Sequence, residues 1–240
     1  MRKDLHLLLD ILFYFALPIF CWEIGREYLP DYIAMIFSSL PGIIYSFLRL
    51  IKTGILNFTR TFLLINIISG LFVDLLSGSA LQLLWNNAFY SLFLCLLYAS
   101  SCVFNKPLFL YFSLDILEQQ GYDRSLTKEL LVEKRGLRIL KMLTFFNGIR
   151  EFVYALLLIN LLTKYGVEIY TVSILTEQLL NFLMSGICII AFIYLYKLLN
   201  EIVSVKKLGG PLRKKVVRLS IQWLYFHLER CYFFISNHHF

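Results

Sequence analysis

The chain has 240 residues, of which 59% are hydrophobic and 16% charged, and its formal net charge is +7. Soluble domains are about 45–50% apolar and about 25% charged, so a soluble fold of this size would leave much apolar surface in water. Disorder is also excluded, because disordered segments contain few aromatic residues and 17% of this chain is aromatic. The composition therefore predicts an integral membrane protein.

Six apolar runs along the chain are candidate membrane spans, since a spanning helix needs about 20 mostly apolar residues. They predict an all-α, polytopic helix bundle that occupies residues 1–204. The first run is interpreted as an uncleaved span because Asp10 interrupts it. The third is the shortest and has room to extend back to Asn57. In chain order the runs are Leu5–Trp22, Tyr32–Leu50, Thr61–Leu76, Leu81–Phe104, Leu140–Leu162 and Leu179–Leu199.

Lysine and arginine are divided unevenly between the links that join these runs. Most of the 23 basic residues lie at the N-terminus, between the second and third spans, between the fourth and fifth spans, and after the sixth. Basic residues are enriched in cytoplasmic links of membrane proteins. The distribution predicts an even number of spans with both termini in the cytoplasm. It also predicts contacts with membrane lipids, through their anionic head groups at the cytoplasmic face, and none with nucleic acid.

Two basic segments are predicted to lie outside the spans. The cytoplasmic loop 105–138 begins with an apolar stretch, expected to form a short interfacial helix. It continues into a soluble helix near 125–134 with Ser125 as its N-cap. The tail 205–240 contains an amphipathic helix at 216–234, expected to lie in the membrane interface. A seventh span, or a tail that packs on a partner, is the alternative for that stretch.

Polar and small residues recur at helical spacing in the third and fourth spans and predict a hairpin. Residues three or four apart share one helix face, and polar side chains hydrogen-bond across helices in membrane bundles. A tight turn at 77–79 joins the two spans, so the two stripes are expected to face each other. The third span contributes Asn66, Gly70, Asp74 and Ser77, and the fourth contributes Gln82, Trp85, Asn86, Asn87 and Tyr90.

The fifth span carries the charged pair Arg150 and Glu151, preceded by Asn147. A charged side chain at mid-depth costs at least ~2.5–3.5 kcal/mol, so it is expected to find a partner or a hydrated cleft. Asp74 is the predicted partner of Arg150, and Asp10 is the second candidate. Glu151 is adjacent on the same helix and is not expected to face Arg150.

These polar residues form a predicted intramembrane binding cluster. In one interpretation it is a cavity that accepts a substrate head group or relays a proton. In the other it is a buried ion pair and amide network that fixes helix register, and buried pairs alone are weak evidence for more than that. The cluster consists of Asn66, Asp74, Gln82, Asn86, Asn87, Asn147, Arg150 and Glu151.

The second span contains a stripe of small residues, Ser38, Gly42 and Ser46, at four-residue spacing. Such a stripe predicts close helix packing in a membrane. Pro41 lies within the same span and predicts a kink, because proline removes one hydrogen bond of the helix.

No signature of a catalytic site occurs in the sequence. GxSxG, HExxH and phosphate-binding loops are absent. The five cysteines form no CxxC pair and have no zinc-site spacing with histidine. We therefore expect no cofactor, no metal and no enzymatic activity.

Three sequence blocks are distinctive, namely Ala34–Tyr45, Leu71–Asn86 and Asn105–Leu108. Together they resemble bacterial multi-pass proteins related to intracellular septation protein A, over residues 9–165. The resemblance implies a small inner-membrane protein tied to envelope maintenance, with no catalytic residues to carry over. The basic loop at 118–138 and the C-terminal tail differ from that pattern.

The leading hypothesis is a non-enzymatic protein of the bacterial cytoplasmic membrane that organises the envelope through an envelope partner or as a homo-oligomer. The alternative is a small transporter or lipid-handling protein with a polar cleft around Asp74 and Arg150. A third class is a membrane enzyme that acts on a polyprenyl or lipid phosphate through Arg150.

Overall fold

The computed structural model describes residues 12–52, 57–119 and 123–205 together with Leu9. Within these residues every regular element is helical. A π-helical turn, Leu12–Ala16, precedes eight α-helices, and a 3-10 turn, Gly166–Ile169, joins the last two. The helices are α1 (Leu17–Tyr28), α2 (Asp31–Lys52), α3 (Phe58–Leu75), α4 (Ala80–Val103), α5 (Leu108–Gln119), α6 (Arg124–Val132), α7 (Lys134–Tyr165) and α8 (Tyr170–Val205).

Four stretches of the described chain are long and apolar enough to cross a membrane. Three of them fall within α2, α3 and α4, which agree with the second, third and fourth predicted spans to within a few residues. The fourth, Arg135–Leu195, runs through α7, the 3-10 turn and α8, where the fifth and sixth spans are predicted. The all-helical architecture is confirmed, and the count of six spans stays a prediction.

Several predicted features lie outside the described residues. They are the start of the first span with Asp10, and the tail from 206 onward with its amphipathic helix. The described part of the first predicted span consists of the π-helical turn and the beginning of α1, which has 12 residues.

The turn between α3 and α4 forms through local capping. Gly78 adopts a φ of 69°, a left-handed conformation that glycine tolerates because it lacks a Cβ. Ser79 then caps α4, its hydroxyl accepting a hydrogen bond from the backbone N–H of Gln82 at 3.2 Å. Asn57 caps α3 in the same way through the N–H of Arg60, at 3.3 Å. Helix α3 therefore begins at Phe58, directly after Asn57, where the sequence leaves room for it. The predicted hairpin of α3 and α4 is present.

Helix α7 packs closely along α4. A Cβ added at Gly148 of α7 would lie 3.3 Å from the Cβ of Tyr98 on α4. That distance is tighter than an ordinary van der Waals contact, so glycine permits the two backbones to approach. Small residues let helices approach closely in membrane proteins, where the hydrophobic effect does not drive the association of helices.

Large apolar side chains cover the outside of the described bundle. Phe72 of α3, Leu96 of α4 and Ile190 of α8 are 63%, 69% and 71% exposed. Soluble monomers rarely expose contiguous apolar patches of such extent. This surface and the four long apolar stretches together support a protein that is embedded in a membrane.

The small-residue stripe of α2 is buried, and tyrosine hydroxyls occupy it. Ser46 lies 2.8 Å from the hydroxyl of Tyr14, and Ser38 lies 2.6 Å from the hydroxyl of Tyr170. Gly42 is buried between them. The stripe therefore packs closely, as predicted, and it does so by admitting the tips of two aromatic side chains.

Helix α5 is the main departure from the predicted architecture. It is expected at the membrane interface, yet it is packed into the core, where Phe109, Leu114 and Ile116 are each less than 5% exposed. Its apolar residues surround the helix, and a helix that is apolar on all sides is buried rather than interfacial. Aromatic side chains of α3 and α8, including Phe62 and Phe192, complete the cluster around it.

Helix α6 begins slightly earlier than predicted. The expected cap, Ser125, lies in its first turn, and both the N–H and the hydroxyl of Ser125 donate to Oδ1 of Asp123. Asp123 is therefore the capping residue, in keeping with the preference for a carboxylate at this position.

Candidate functional site

The polar stripes of α3 and α4 contact each other, as the sequence predicts. The hydroxyl of Tyr90 donates to Oδ1 of Asn66 at 3.1 Å, and the side-chain amide of Asn86 donates to the hydroxyl of Ser77 at 2.9 Å. The amide of Asn66 also donates to the carbonyl of its own helix at Phe62, at 2.7 Å. These bonds fix the register of the hairpin.

Gln82 does not belong to the cluster. Its side chain is exposed, and its backbone N–H is engaged in the cap of α4. Asn87 lies one residue beyond Asn86 and borders a different space, a cavity described below. The eight predicted site residues are therefore distributed over more than one environment.

Arg150 pairs with Glu151, and the predicted pairing with Asp74 is wrong. One terminal nitrogen of Arg150 donates to Oε1 of Glu151, and the other donates to Oδ1 of Asn181 on α8. Arg150 is 5% exposed and Glu151 is fully buried. The ion pair therefore lies within α7, between sequence neighbours.

Asn147 lies one turn before Arg150 and is 2% exposed. Its side-chain amide donates to the carbonyl of Leu143 on its own helix at 3.0 Å. Asn147 therefore lies on the buried face of α7, as the spacing predicts.

Helix α8 carries a polar stripe that sequence reasoning missed. Ser173, Glu177, Asn181 and Ser185 recur every four residues, and all four side chains are buried. The interpretation from sequence places the sixth span at Leu179, and so assigns the first half of the stripe to a loop. Helix α8 instead begins at Tyr170. The four-residue spacing is the signal that identifies these residues as one helix face.

A cavity of about 40 Å³ lies where the π-helical turn and α1 meet α2, α3, α4, α7 and α8. We call it the acidic cavity, because Asp74 and Glu177 border it and are 4% and 6% exposed. A cavity needs about 10–15 Å³ of this measure to hold one water, so water or a small ion fits. The other polar side chains that line it include Ser39, Asn87, Tyr154 and Tyr170.

Both acids of the cavity have an oxygen with no hydrogen-bond partner. These atoms are Oδ1 of Asp74 and Oε1 of Glu177. Arg150 donates to Glu151 and Asn181, and its charge also acts on Glu177. Asp74 is therefore the acid of the cavity for which the described residues show no charged partner. An isolated buried carboxylate is too costly to persist, so a proton or a cation must accompany each charge.

Another buried acid, Asp115 of α5, has in contrast hydrogen-bond partners for both of its carboxylate oxygens. It accepts the backbone N–H of Thr59 at 2.6 Å, the hydroxyl of Thr59 at 2.8 Å, and a guanidinium nitrogen of Arg124 at 2.8 Å. Asp115 thus joins the start of α3 to α5 and α6. Its environment is that of a structural contact.

An exposed pair joins α1 to the turn between α7 and α8. Arg26 donates to both carboxylate oxygens of Glu168, at 2.7 and 3.0 Å, and stacks over Trp22 at 5.1 Å. The hydrogen bonds from Arg26 hold the pKa of Glu168 below its usual range. The same contact raises the pKa of Arg26. The hydroxyl of Thr171 donates to Glu23 nearby at 2.9 Å, so the two elements are joined twice.

Among the residues that the structure describes, no group of three or more His, Cys, Asp or Glu is arranged to hold a metal ion. The cysteines in the same ranges, Cys21, Cys95, Cys102 and Cys188, are not paired in disulfides.

Comparisons of the chain with protein-family models, with curated proteins and with solved structures find no match. The resemblance to the family of intracellular septation protein A therefore stays a prediction.

Proposed function

We propose that this protein is a small membrane transporter whose solute passes through the acidic cavity. The observation that carries the proposal is the pair of buried carboxyl groups, Asp74 and Glu177, each with an oxygen that no hydrogen bond satisfies. They come from α3 and α8, which meet the cavity from different parts of the chain.

A purely structural role does not account for these two acids. Most buried polar atoms in native proteins have a hydrogen-bond partner, and an unsatisfied one calls for an explanation. The hydrogen bond from Arg150 to Asn181 already joins α7 to α8. Asp74 and Glu177 each add a buried carboxyl oxygen that has no hydrogen-bond partner, and ionisable residues in a membrane typically mark a solute or proton path.

The chemistry of the cavity also distinguishes between the classes of solute or substrate that the protein could bind. A lipid or polyprenyl phosphate is an anion that two acids would repel. Arg150, the residue expected to bind a phosphate, is committed to Glu151 and Asn181. Small neutral or cationic solutes suit the cavity better.

We place the protein in a bacterial cytoplasmic membrane, with six spans and both termini in the cytoplasm. The basic links of the sequence support this orientation. Envelope organisation through a partner or a homo-oligomer stays a prediction, because lipid accounts for the exposed apolar surface as well as a partner would.

Transport is tested with purified full-length protein reconstituted into liposomes. Uptake is measured for a panel of small solutes, namely glycerol, alanine, Na⁺, K⁺ and protons, the last with a trapped pH-sensitive dye. We expect uptake of at least one solute above that of protein-free liposomes. We also expect Asp74→Asn and Glu177→Gln to reduce that uptake at least tenfold.

The matched control is Glu27→Gln, which removes an exposed acid of α1 that does not line the cavity. This variant should transport as the parent protein does. Each variant is checked by gel filtration and thermal melting before reconstitution. Uptake of no solute in the panel, or equal uptake by the parent and both cavity variants, would contradict the proposal.

A further inference from the structure

We infer that Asp74 and Glu177 form a proton-exchange pair, which holds a proton in the acidic cavity and couples the passage of solute to the release and uptake of that proton. The inference rests on the proposed function, because it names what drives transport through the same cavity. The sequence leaves a proton relay open as one role of the predicted cluster, but that cluster does not include Glu177.

Asp74 has no charged partner among the described residues. It is 4% exposed, and its Oδ1 accepts no hydrogen bond. The hydroxyl of Tyr32 donates to the backbone carbonyls of Asp74 and Leu75, both at 3.0 Å, and so does not satisfy the carboxyl group. A buried carboxylate without a counter-charge is strongly disfavoured against its neutral form. The position of Asp74 therefore calls for a proton.

Glu177 borders the same cavity from α8 in a different charge environment. The charge of Arg150 acts on it, although the hydrogen bonds of Arg150 go to Glu151 and Asn181. Oε1 of Glu177 accepts no hydrogen bond. Glu177 is thus partly compensated and Asp74 is not. A proton that two acids share can reside on either of them, and its distribution is a property of the pair.

Several hydroxyl groups of the cavity wall donate their hydrogen atoms elsewhere. Ser39 donates to the carbonyl of Ile36 at 2.8 Å, and Ser173 donates to the carbonyl of Tyr170 at 2.7 Å. The hydroxyl of Tyr170 lies 2.6 Å from that of Ser38. These hydroxyls therefore leave the free oxygens of the two acids without a donor, and water is the donor that a polar cavity admits.

The cavity has room for a short chain of water. Its volume of about 40 Å³ corresponds to about three waters, since each needs about 10–15 Å³ of this measure. Most of the residues that line it are polar, and Asn87 and Gln178 add amide groups to which water can bond. Water can therefore connect the two acids across the cavity.

Transfer between the two acids requires water and no other reactant. A neutral carboxyl group gives its proton to a neighbouring water, and the water beside the other carboxylate gives one of its own protons to that carboxylate. One O–H bond breaks and one forms at each step, so the number of protons in the cavity is unchanged. A solute that contacts either acid changes the balance between its neutral and ionised forms, so the binding of solute and of the proton are linked.

The other titratable or charged groups around the two acids do not exchange protons between pH 5 and 7. Glu151 is buried in its ion pair with Arg150. The remaining groups are phenols and a thiol, which are neutral in this range. They come from the elements that surround the cavity and are Tyr14, Cys21, Tyr32, Tyr90, Tyr98, Tyr154 and Tyr170.

The proton is detected without any solute, by infrared spectroscopy of full-length protein in dodecyl maltoside at pH 7. Exposed carboxyl groups are ionised at this pH, so a carbonyl band of a neutral carboxylic acid reports a buried, protonated acid. We expect such a band in the parent protein. It should shift within seconds of transfer to D₂O, because water in the cavity exchanges the proton.

The double variant Asp74→Asn with Glu177→Gln should lose this band, whereas Glu27→Gln, which removes an exposed acid, should give the spectrum of the parent. The exchange into D₂O is measured on the parent protein and does not depend on the folding of any variant. A parent spectrum without the band would overturn the inference. So would a band that the folded double variant keeps unchanged, or one that does not exchange in D₂O.

Coupling is measured with the liposomes used for transport, under a pH gradient of either sign and with the membrane potential clamped by valinomycin and equal K⁺. We expect one sign of the gradient to accelerate solute uptake by the parent at least fivefold, and neither sign to accelerate uptake by Asp74→Asn or Glu177→Gln. Uptake by the parent that ignores the gradient would refute the coupling and leave the proposed transporter standing. Uptake of no solute would refute transport, and the infrared band would still decide whether the cavity holds a proton.

Discussion

Replacing Arg150 by methionine is predicted to destabilise the protein by about 3–5 kcal/mol. Removing one partner of a buried ion pair costs about this much, because the other charge stays buried and uncompensated. Arg150 and Glu151 are 5% and 0% exposed, so water cannot take over the role of the missing partner. Methionine retains much of the apolar stem of arginine, which confines the change chiefly to charge and hydrogen bonding.

The double variant Arg150→Met with Glu151→Leu is predicted to be more stable than either single variant. It removes both charges together, and apolar replacement of a whole buried pair is often neutral or stabilising. The remaining penalty is the hydrogen bond that Asn181 loses, about 1 kcal/mol. Solute uptake by the double variant then decides the role of Arg150. Retained uptake identifies the pair as structural, and lost uptake in a folded protein places it on the solute path.

Stability is measured by unfolding in mixed micelles of dodecyl maltoside and SDS, followed by far-ultraviolet circular dichroism. The control is the same cycle on the exposed pair, Arg26→Met with Glu168→Gln, for which we expect a much smaller coupling than for the buried pair because solvent screens it. An Arg150→Met protein as stable as the parent would refute the reasoning. So would a double variant in which the two single losses simply add.

Two further predictions concern contacts away from the cavity. Asp115→Ala should lower the free energy of unfolding by about 3 kcal/mol, because it leaves the buried N–H of Thr59 unsatisfied. Arg124→Ala should lower it by less than ~1 kcal/mol, because that side chain is 41% exposed. Equal losses for the two variants in the unfolding assay would contradict this. The lowered pKa of Glu168 predicts that its contact with Arg26 stabilises the protein above the ordinary glutamate range and is lost as the pH falls through the lowered value. The melting temperature of the parent should therefore exceed that of Glu168→Gln at pH 7, and the difference should shrink as the pH falls through the lowered pKa of Glu168. A difference that does not shrink in acid would be inconsistent with the pair.

Hydropathy and helical spacing predict much of this architecture, because both properties are local. The limits of α2, α3 and α4 follow from where apolar residues stop. The hairpin follows from two polar stripes and a short turn, and the bonds of Tyr90 to Asn66 and of Asn86 to Ser77 confirm it. For these elements, the residues of one helix face and one turn are sufficient to predict the structure.

Other features depend on how the helices are packed, which spacing along one helix does not define. The partner of Arg150 depends on the rotation of α7 against α3 and α8, and the nearest acid turned out to be Glu151. Helix α5 is too short to register as a span and too apolar for an interface, so its position follows only once the aromatic cluster around it is known.

Glu177 shows why hydropathy underestimates the length of a membrane helix that carries a buried charge. A search for apolar runs ends a helix where a charged residue interrupts it, and Glu177 with Gln178 is such an interruption in α8. A charge that is expensive in the membrane is retained there only when something offsets its cost. The hydrogen bond from Arg150 to Asn181 joins α7 to α8 without Glu177, so register alone does not explain why Glu177 is retained. Asp74 raises the same question from α3, and the two residues border one cavity. The proposed solute path through this cavity explains why both acids are retained. The acidic cavity, rather than the buried ion pair, is therefore the part of this protein to which we assign the proposed function.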